Sequence, residues 1–217
     1  MKKTTVVFDL DGTLLDTLQD LANAVNYALE KQGMPKRTLE EVRQFVGNGV
    51  RLLMIRAVPD GERNPLFEET FALFKEYYGK HCNDNTKPYA GVVELIETLK
   101  EKGYAVAIVS NKIDFAVKEL NDLYFKGIVT VAIGEKEDIR RKPAPDTVFE
   151  ALKELGKTKE EAVYVGDSDV DLETAKNSGM PCISVLWGFR DKEFLAEHGA
   201  ERYAKTAEDV LRFVEEM

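Results

Sequence analysis

Apolar runs rich in β-branched and aromatic residues recur along this chain, and several stop abruptly at polar or acidic residues. Thr4 to Phe8 shows no polar alternation, the pattern of a strand covered on both faces, as central strands of parallel sheets are. It runs into Asp9-Leu10-Asp11-Gly12-Thr13. Tyr104 to Val109 ends at Ser110-Asn111, and Ala162 to Val165 ends at Gly166-Asp167. Ile128 to Ile133 and Cys182 to Leu186 are two more such runs, with Arg202 to Ala204 as a short last edge.

Helical stripes separate these runs. Val92, Leu95, Ile96 and Leu99 recur at spacings of three and four, and Gly103 stops that helix. Val148, Phe149, Leu152 and Leu155 form a second stripe between Pro145 and Gly156. Leu172 and Ala175 mark a shorter helix ending near Gly179. Strands alternating with helices predict a doubly wound, Rossmann-like parallel α/β sheet.

One stretch breaks the alternation. Leu21, Val25, Ala28 and Leu29 share a helical face, and Leu39 to Val46, Val50 to Val58 and Leu66 to Tyr78 read as three further helices. Gly33-Met34-Pro35 and Pro59-Asp60-Gly61 supply turns. The expected organisation is an α/β core of residues 1–16 and 85–217 with a small helical-bundle domain, 17–84, inserted after the first strand. A chain of 217 residues is long enough for one core plus such a satellite.

In open α/β sheets, ligands bind at the carboxyl ends of the strands. Asp9, Asp11, Ser110, Asn111 and Asp167 all sit at such ends, with Asp169 and Asp171 just behind. Lys142 lies in a loop before a helix. Gathered carboxylates repel one another and need a cation, and an all-oxygen set suits a hard ion, Mg2+ above all. Ser110 offers a hydroxyl, Lys142 a charge, and the turn after Asp9 backbone N–H groups, so a phosphate could be held there. The net charge of -9 disfavours a nucleic-acid partner. No segment approaches the ~18 apolar residues of a membrane span, so no membrane association is expected. Cys82 and Cys182 follow no ligand or redox spacing, and reduced thiols in the cytoplasm are expected.

The polar residues carry a resemblance. Asp9-Leu10-Asp11-Gly12-Thr13-Leu14, Ser110, Lys142-Pro143 and Gly166-Asp167-Ser168-Asp169-Val170-Asp171 resemble, in order, the four motifs of the haloacid dehalogenase superfamily, phosphatase branch. The resemblance implies that Asp9 is the nucleophile and a metal ligand. Asp11 is the general acid/base and reaches the metal through its backbone carbonyl, and Asp167 is a further metal ligand. Asp171 acts on the metal through water or a neighbouring ligand. Gly12, Thr13, Ser110, Asn111 and Lys142 are the expected phosphate-binding group, with Lys142 also steadying Asp9. The inserted helices resemble the family's cap, and Gly47-Asn48-Gly49 resembles the substrate-facing cap loop of phosphoglycolate phosphatases and close relatives, which points to Asn48 and Gly49. Trp187-Gly188-Phe189-Arg190 resembles the segment after strand five, where the tryptophan is expected as a packed anchor with its indole N–H satisfied.

The implied activity is Mg2+-dependent hydrolysis of a small phosphate ester, phosphoglycolate first, by a monomer or homodimer. Alternatives are a pyrophosphatase or a sugar or nucleotide phosphatase, a phosphosugar mutase of the β-phosphoglucomutase type, and a non-catalytic phospho-acceptor module. Arg51 reads as a surface-facing helix residue, with a substrate carboxylate as its other possible partner.

Overall fold

The computed structural model describes residues 2–47 and 49–217. Asn48, expected to face substrate, lies outside the described residues. The chain divides into two compact units, Met1–Leu15 with Pro88–Met217, and Asp16–Lys87.

The strands are β1 (Thr5–Phe8), β2 (Leu15–Asp16), β3 (Lys87–Pro88), β4 (Ala105–Ile113), β5 (Val131–Glu135), β6 (Ala162–Gly166), β7 (Cys182–Val185) and β8 (Tyr203–Ala204). The helices are α1 (Leu18–Lys31), α2 (Leu39–Phe45), α3 (Val50–Ala57), α4 (Phe67–His81), α5 (Val92–Glu101), α6 (Asp114–Tyr124), α7 (Asp146–Leu155), α8 (Asp169–Ser178), α9 (Lys192–Glu197) and α10 (Ala207–Glu215).

Six strands form one parallel sheet in the order β5-β4-β1-β6-β7-β8. Its residues divide by parity. Val6, Phe8, Ile108, Val163 and Val165 enter one buried cluster with α5 and α10 residues, while Val7, Ala107, Val109, Ala162 and Tyr164 enter another with α7 residues. Both faces of β1 are therefore dry, which is why its sequence lacks alternation. Gly156 and Gly179 close α7 and α8 in the left-handed conformation, as C-terminal glycines do.

Two boundaries differ from the sequence reading. The strand expected to end at Val109 runs on to Ile113 with a register shift against β5, so Ser110 and Asn111 lie within an irregular strand end. The strand expected over Ile128–Ile133 is displaced to Val131–Glu135, because Ile128 and Val129 close a turn on Phe125. Helices α6, α9 and α10 fall in segments for which the sequence reading named no helix.

Unit two packs α1 to α4 around Leu21, Val25, Leu29, Leu53, Met54, Phe67 and Phe74. Buried Asp20 in α1 accepts from the backbone N–H groups of Asn85 and Thr86, from Asn85 Nδ2 at 2.8 Å and from Thr86 Oγ1 at 2.8 Å. Asp20→Ala strands those donors and is expected to cost roughly 2–4 kcal/mol. Urea unfolding followed by helical circular dichroism checks this; an unchanged midpoint would show the anchor to be dispensable.

Candidate active site

β1 lies between β4 and β6, so the three polar strand ends expected from sequence are neighbours. Asp9 follows β1 directly and is 8% exposed. Its Oδ1 accepts the Leu10 N–H at 2.7 Å and lies 2.8 Å from Lys142 Nζ. Lys142 also reaches Asp171 Oδ1 at 2.8 Å and the Tyr164 hydroxyl at 3.0 Å. An ammonium has three protons, and these three acceptors engage all of them. The Lys142 backbone is held in turn by Asn111, whose Oδ1 accepts the Lys142 N–H at 2.8 Å while its Nδ2 donates to the Lys142 carbonyl at 3.0 Å. Asn111, expected against phosphate, thus fastens the lysine loop to the end of β4.

Asp167 ends the next strand over. Its Oδ1 accepts from the Thr13 hydroxyl at 3.1 Å and its Oδ2 from the Phe189 N–H at 2.7 Å. Asp171 sits in the first turn of α8, in a capping box with Ser168, and its Oδ2 accepts from the Ser168 hydroxyl at 2.6 Å and from the N–H groups of Asp167 and Ser168. Asp169 points elsewhere and lies 3.6 Å from Arg190 Nε.

Gly12 makes the turn possible. Its φ is +86°, and a Cβ there would lie 2.5 Å from Asp167 Oδ2. The N–H groups of Gly12, Thr13 and Leu14 close onto the carbonyls of Leu15 and Leu10. The backbone donors expected to stand open after Asp9 are therefore engaged within the turn at Gly12 and Thr13. Trp187 Nε1 donates to the Thr13 carbonyl at 3.0 Å, which braces the same turn.

The Asp11 carboxylate stands apart from the buried acids. Its Oδ2 lies 3.5 Å from Ser110 Oγ and its Oδ1 3.4 Å from Lys112 Nζ. Gly49 lies in unit two, where it precedes α3 with φ +86°. Arg51 is occupied by Glu62 and Glu68 and lies over the rings of Phe67 and Phe71.

Asp9, Asp167 and Asp171 each bring a carboxylate oxygen within 4.8 Å of the others. Burial, and then the Asp171 charge, push Asp9 well above the usual carboxylate range against the pull of Lys142. The same two causes push Asp167 up to about 7. Burial opposes ionisation of Asp171 as well, but Lys142, Ser168 and Tyr164 outweigh it and hold that group below the usual range. Burial would lower Lys142, and Asp171 with Asp9 overcomes it and raises the ammonium above its ordinary value. Three buried carboxyl groups share one ammonium here, so burial and mutual repulsion oppose ionising all of them, and a cation among them would relieve both. An all-carboxylate donor set at this spacing fits a hard divalent ion such as Mg2+.

Tyr164, Lys112 and the Phe189 N–H escape sequence reasoning. Tyr164 is one aromatic in an apolar strand, and the backbone amide of Phe189 leaves no side-chain signature. Lys112 lies past the point where the apolar run ends.

The family model described as haloacid dehalogenase-like hydrolase matches residues 6–185. A phosphoglycolate phosphatase of Aquifex aeolicus is 35% identical over 185 residues, covering 85% of this chain and 85% of that protein. Phosphoglycolate phosphatase 1 of Pseudomonas aeruginosa is 35% identical over 216 residues, covering 95% of this chain and 78% of the other. A crystal structure from Lactobacillus delbrueckii subsp. bulgaricus, provisionally designated a phosphoglycolate phosphatase, superposes with a TM-score of 0.96 at 38% identity, with 100% of both chains covered. With the family match spanning most of the core and the relatives spanning most of the chain, this protein belongs to the haloacid dehalogenase-like hydrolases.

Proposed function

We propose that the chain is a magnesium-dependent phosphatase that hydrolyses 2-phosphoglycolate through a phospho-aspartyl intermediate on Asp9. The observation that supports this most is the position of Asp9. It ends the central strand, held by Leu10 N–H and Lys142 on one oxygen, within a cluster of buried acids. The phosphoglycolate phosphatases among its relatives support the substrate.

In this reading Asp9 attacks phosphorus with the oxygen that Lys142 does not hold, and the alcohol leaves in line. Asp11 protonates the departing alkoxide and then takes a proton from the water that cleaves the acyl phosphate. Ser110 holds a phosphoryl oxygen. Lys142 orients Asp9, and a phosphoryl oxygen that binds it must displace one of its three acceptors. Gly12 and Thr13 act through the shape of the turn. Asp9, Asp167 and the Asp11 carbonyl would hold Mg2+, with Asp171 fixing their surroundings. The ion supplies positive charge that offsets repulsion between Asp9 and the phosphate dianion. The helical insertion is assigned the cap role, with Asn48 and Gly49 in its substrate loop.

Phosphate release is to be measured across phosphoglycolate, pyrophosphate, hexose phosphates and nucleoside monophosphates, each with Mg2+ and with chelator. Phosphoglycolate is expected to lead, and chelation to abolish turnover. Preference for another ester would overturn the substrate. Activity that appears only with a sugar bisphosphate would favour a mutase, and a long-lived phosphoprotein without release would favour a phospho-acceptor.

A further inference from the structure

Tyr164 is fully buried in β6, and its partner across the ladder is Val7, two residues before Asp9. Its ring belongs to the dry cluster built with residues of β1, β4 and α7, and a ring alone would fill that apolar space. What the tyrosine adds is a hydroxyl, which is costly in such a place unless it is bonded. Here it is bonded in both senses. The oxygen accepts from Lys142 Nζ at 3.0 Å, and its one proton goes to Asp171 Oδ1, also at 3.0 Å. Lys142 donates to that same Asp171 oxygen at 2.8 Å, so the three groups close a triangle.

The triangle bears on Asp9. The Lys142 ammonium stands 2.8 Å from Asp9 Oδ1 and 2.8 Å from Asp171 Oδ1, two carboxylates at equal distance. The Tyr164 hydroxyl gives Asp171 Oδ1 a second donor and gives the ammonium a third acceptor. Without it, Asp171 Oδ1 loses a donor and Lys142 loses an acceptor. A move of the ammonium toward Asp171 then tightens the bond that remains and loosens its hold on Asp9.

We infer that Tyr164 is a positioning residue for the nucleophile, its hydroxyl keeping the Lys142 ammonium in register with Asp9 Oδ1. The inference rests on the proposed attack by Asp9 and names what holds that carboxylate's orienting cation in place. In-line attack tolerates little error, and a displacement of ~1 Å can cost about 100-fold in rate. Tyr164 acts through Lys142, so its effect falls on the chemical step rather than on uptake of substrate.

The test is kinetic and uses Tyr164→Phe, which removes one oxygen and keeps the ring. With the most active ester of the panel, kcat is expected to fall about 30-fold with KM within about twofold of wild type. On a Lys142→Met background the same change should cost less than about twofold, because the ammonium it positions is gone. An equal fall on both backgrounds would show that Tyr164 acts independently of Lys142 and overturn the inference. An unchanged kcat, or a loss confined to KM, would overturn it as well. Thermal melting of Tyr164→Phe is expected close to the wild-type midpoint, and a collapsed midpoint would make the hydroxyl a support of the fold and overturn the positioning role. Asp9→Asn, assayed alongside, tells the two claims apart. Retained turnover there sinks the nucleophile reading and the inference with it. An inactive Asp9→Asn beside a Tyr164→Phe that matches wild type sinks the inference alone.

Discussion

Asp9→Asn is expected to lower phosphate release by about 10^4-fold or more, because an amide cannot form the acyl phosphate. Stability should move the other way or not at all. Burial opposes ionisation of Asp9, and the Asp171 charge adds to the penalty, so a neutral side chain relieves both. Against that, the Lys142 ammonium keeps an acceptor in the amide oxygen of the variant. Thermal melting is therefore expected at or above the wild-type midpoint. Turnover within tenfold of wild type would overturn the nucleophile assignment. A collapsed melting temperature would show that the loss reports misfolding instead.

Lys142→Met is expected to damage both activity and stability. Three acceptors converge on this ammonium, two of them carboxylates of buried residues. Removing one partner of a buried ion pair typically costs ~3–5 kcal/mol, because the other charge stays buried. The urea midpoint should fall accordingly, and phosphate release should drop about 10^3-fold. Lys142→Arg should not rescue, since a planar guanidinium cannot present three donors in a tetrahedral fan. The double variant Lys142→Met with Asp171→Asn should regain much of the stability and none of the activity, a non-additivity that only coupled residues show. Additive losses in that cycle would show the pair to be uncoupled.

The parallel sheet was legible because its strands are covered on both faces and bounded by glycine-stopped helices. Thr4–Phe8 and Ala162–Val165 match β1 and β6 closely for this reason. The end of β4 was not legible. Past Val109 the residues turn polar, and the register shift that carries the strand to Ile113 depends on pairing with β5 rather than on local preference. That is also why Lys112 was invisible: a lysine after an apolar run looks exposed, yet its side chain is buried beside Asp11. Strand ends announced Asp9, Ser110 and Asp167, since each terminates an apolar run. The sequence could not say how they bond. Asn111 clasping the Lys142 backbone and Tyr164 completing the ammonium's shell are contacts between segments far apart in the chain.

The sheet order has a consequence for synthesis. The strand that carries Asp9 is the first made, yet its two neighbours begin at Ala105 and Ala162. At roughly 5–20 residues per second, the ribosome needs on the order of 10–30 s after emitting Thr5 before the second neighbour exists. During that interval β1 is an apolar strand with both edges open, the kind of segment on which chaperones act and from which aggregates grow. The helical unit, whose contacts are local, can fold in the meantime. The strand that leads to Asp9 is thus the earliest part of the sheet to be translated and the one that waits longest for its second neighbour.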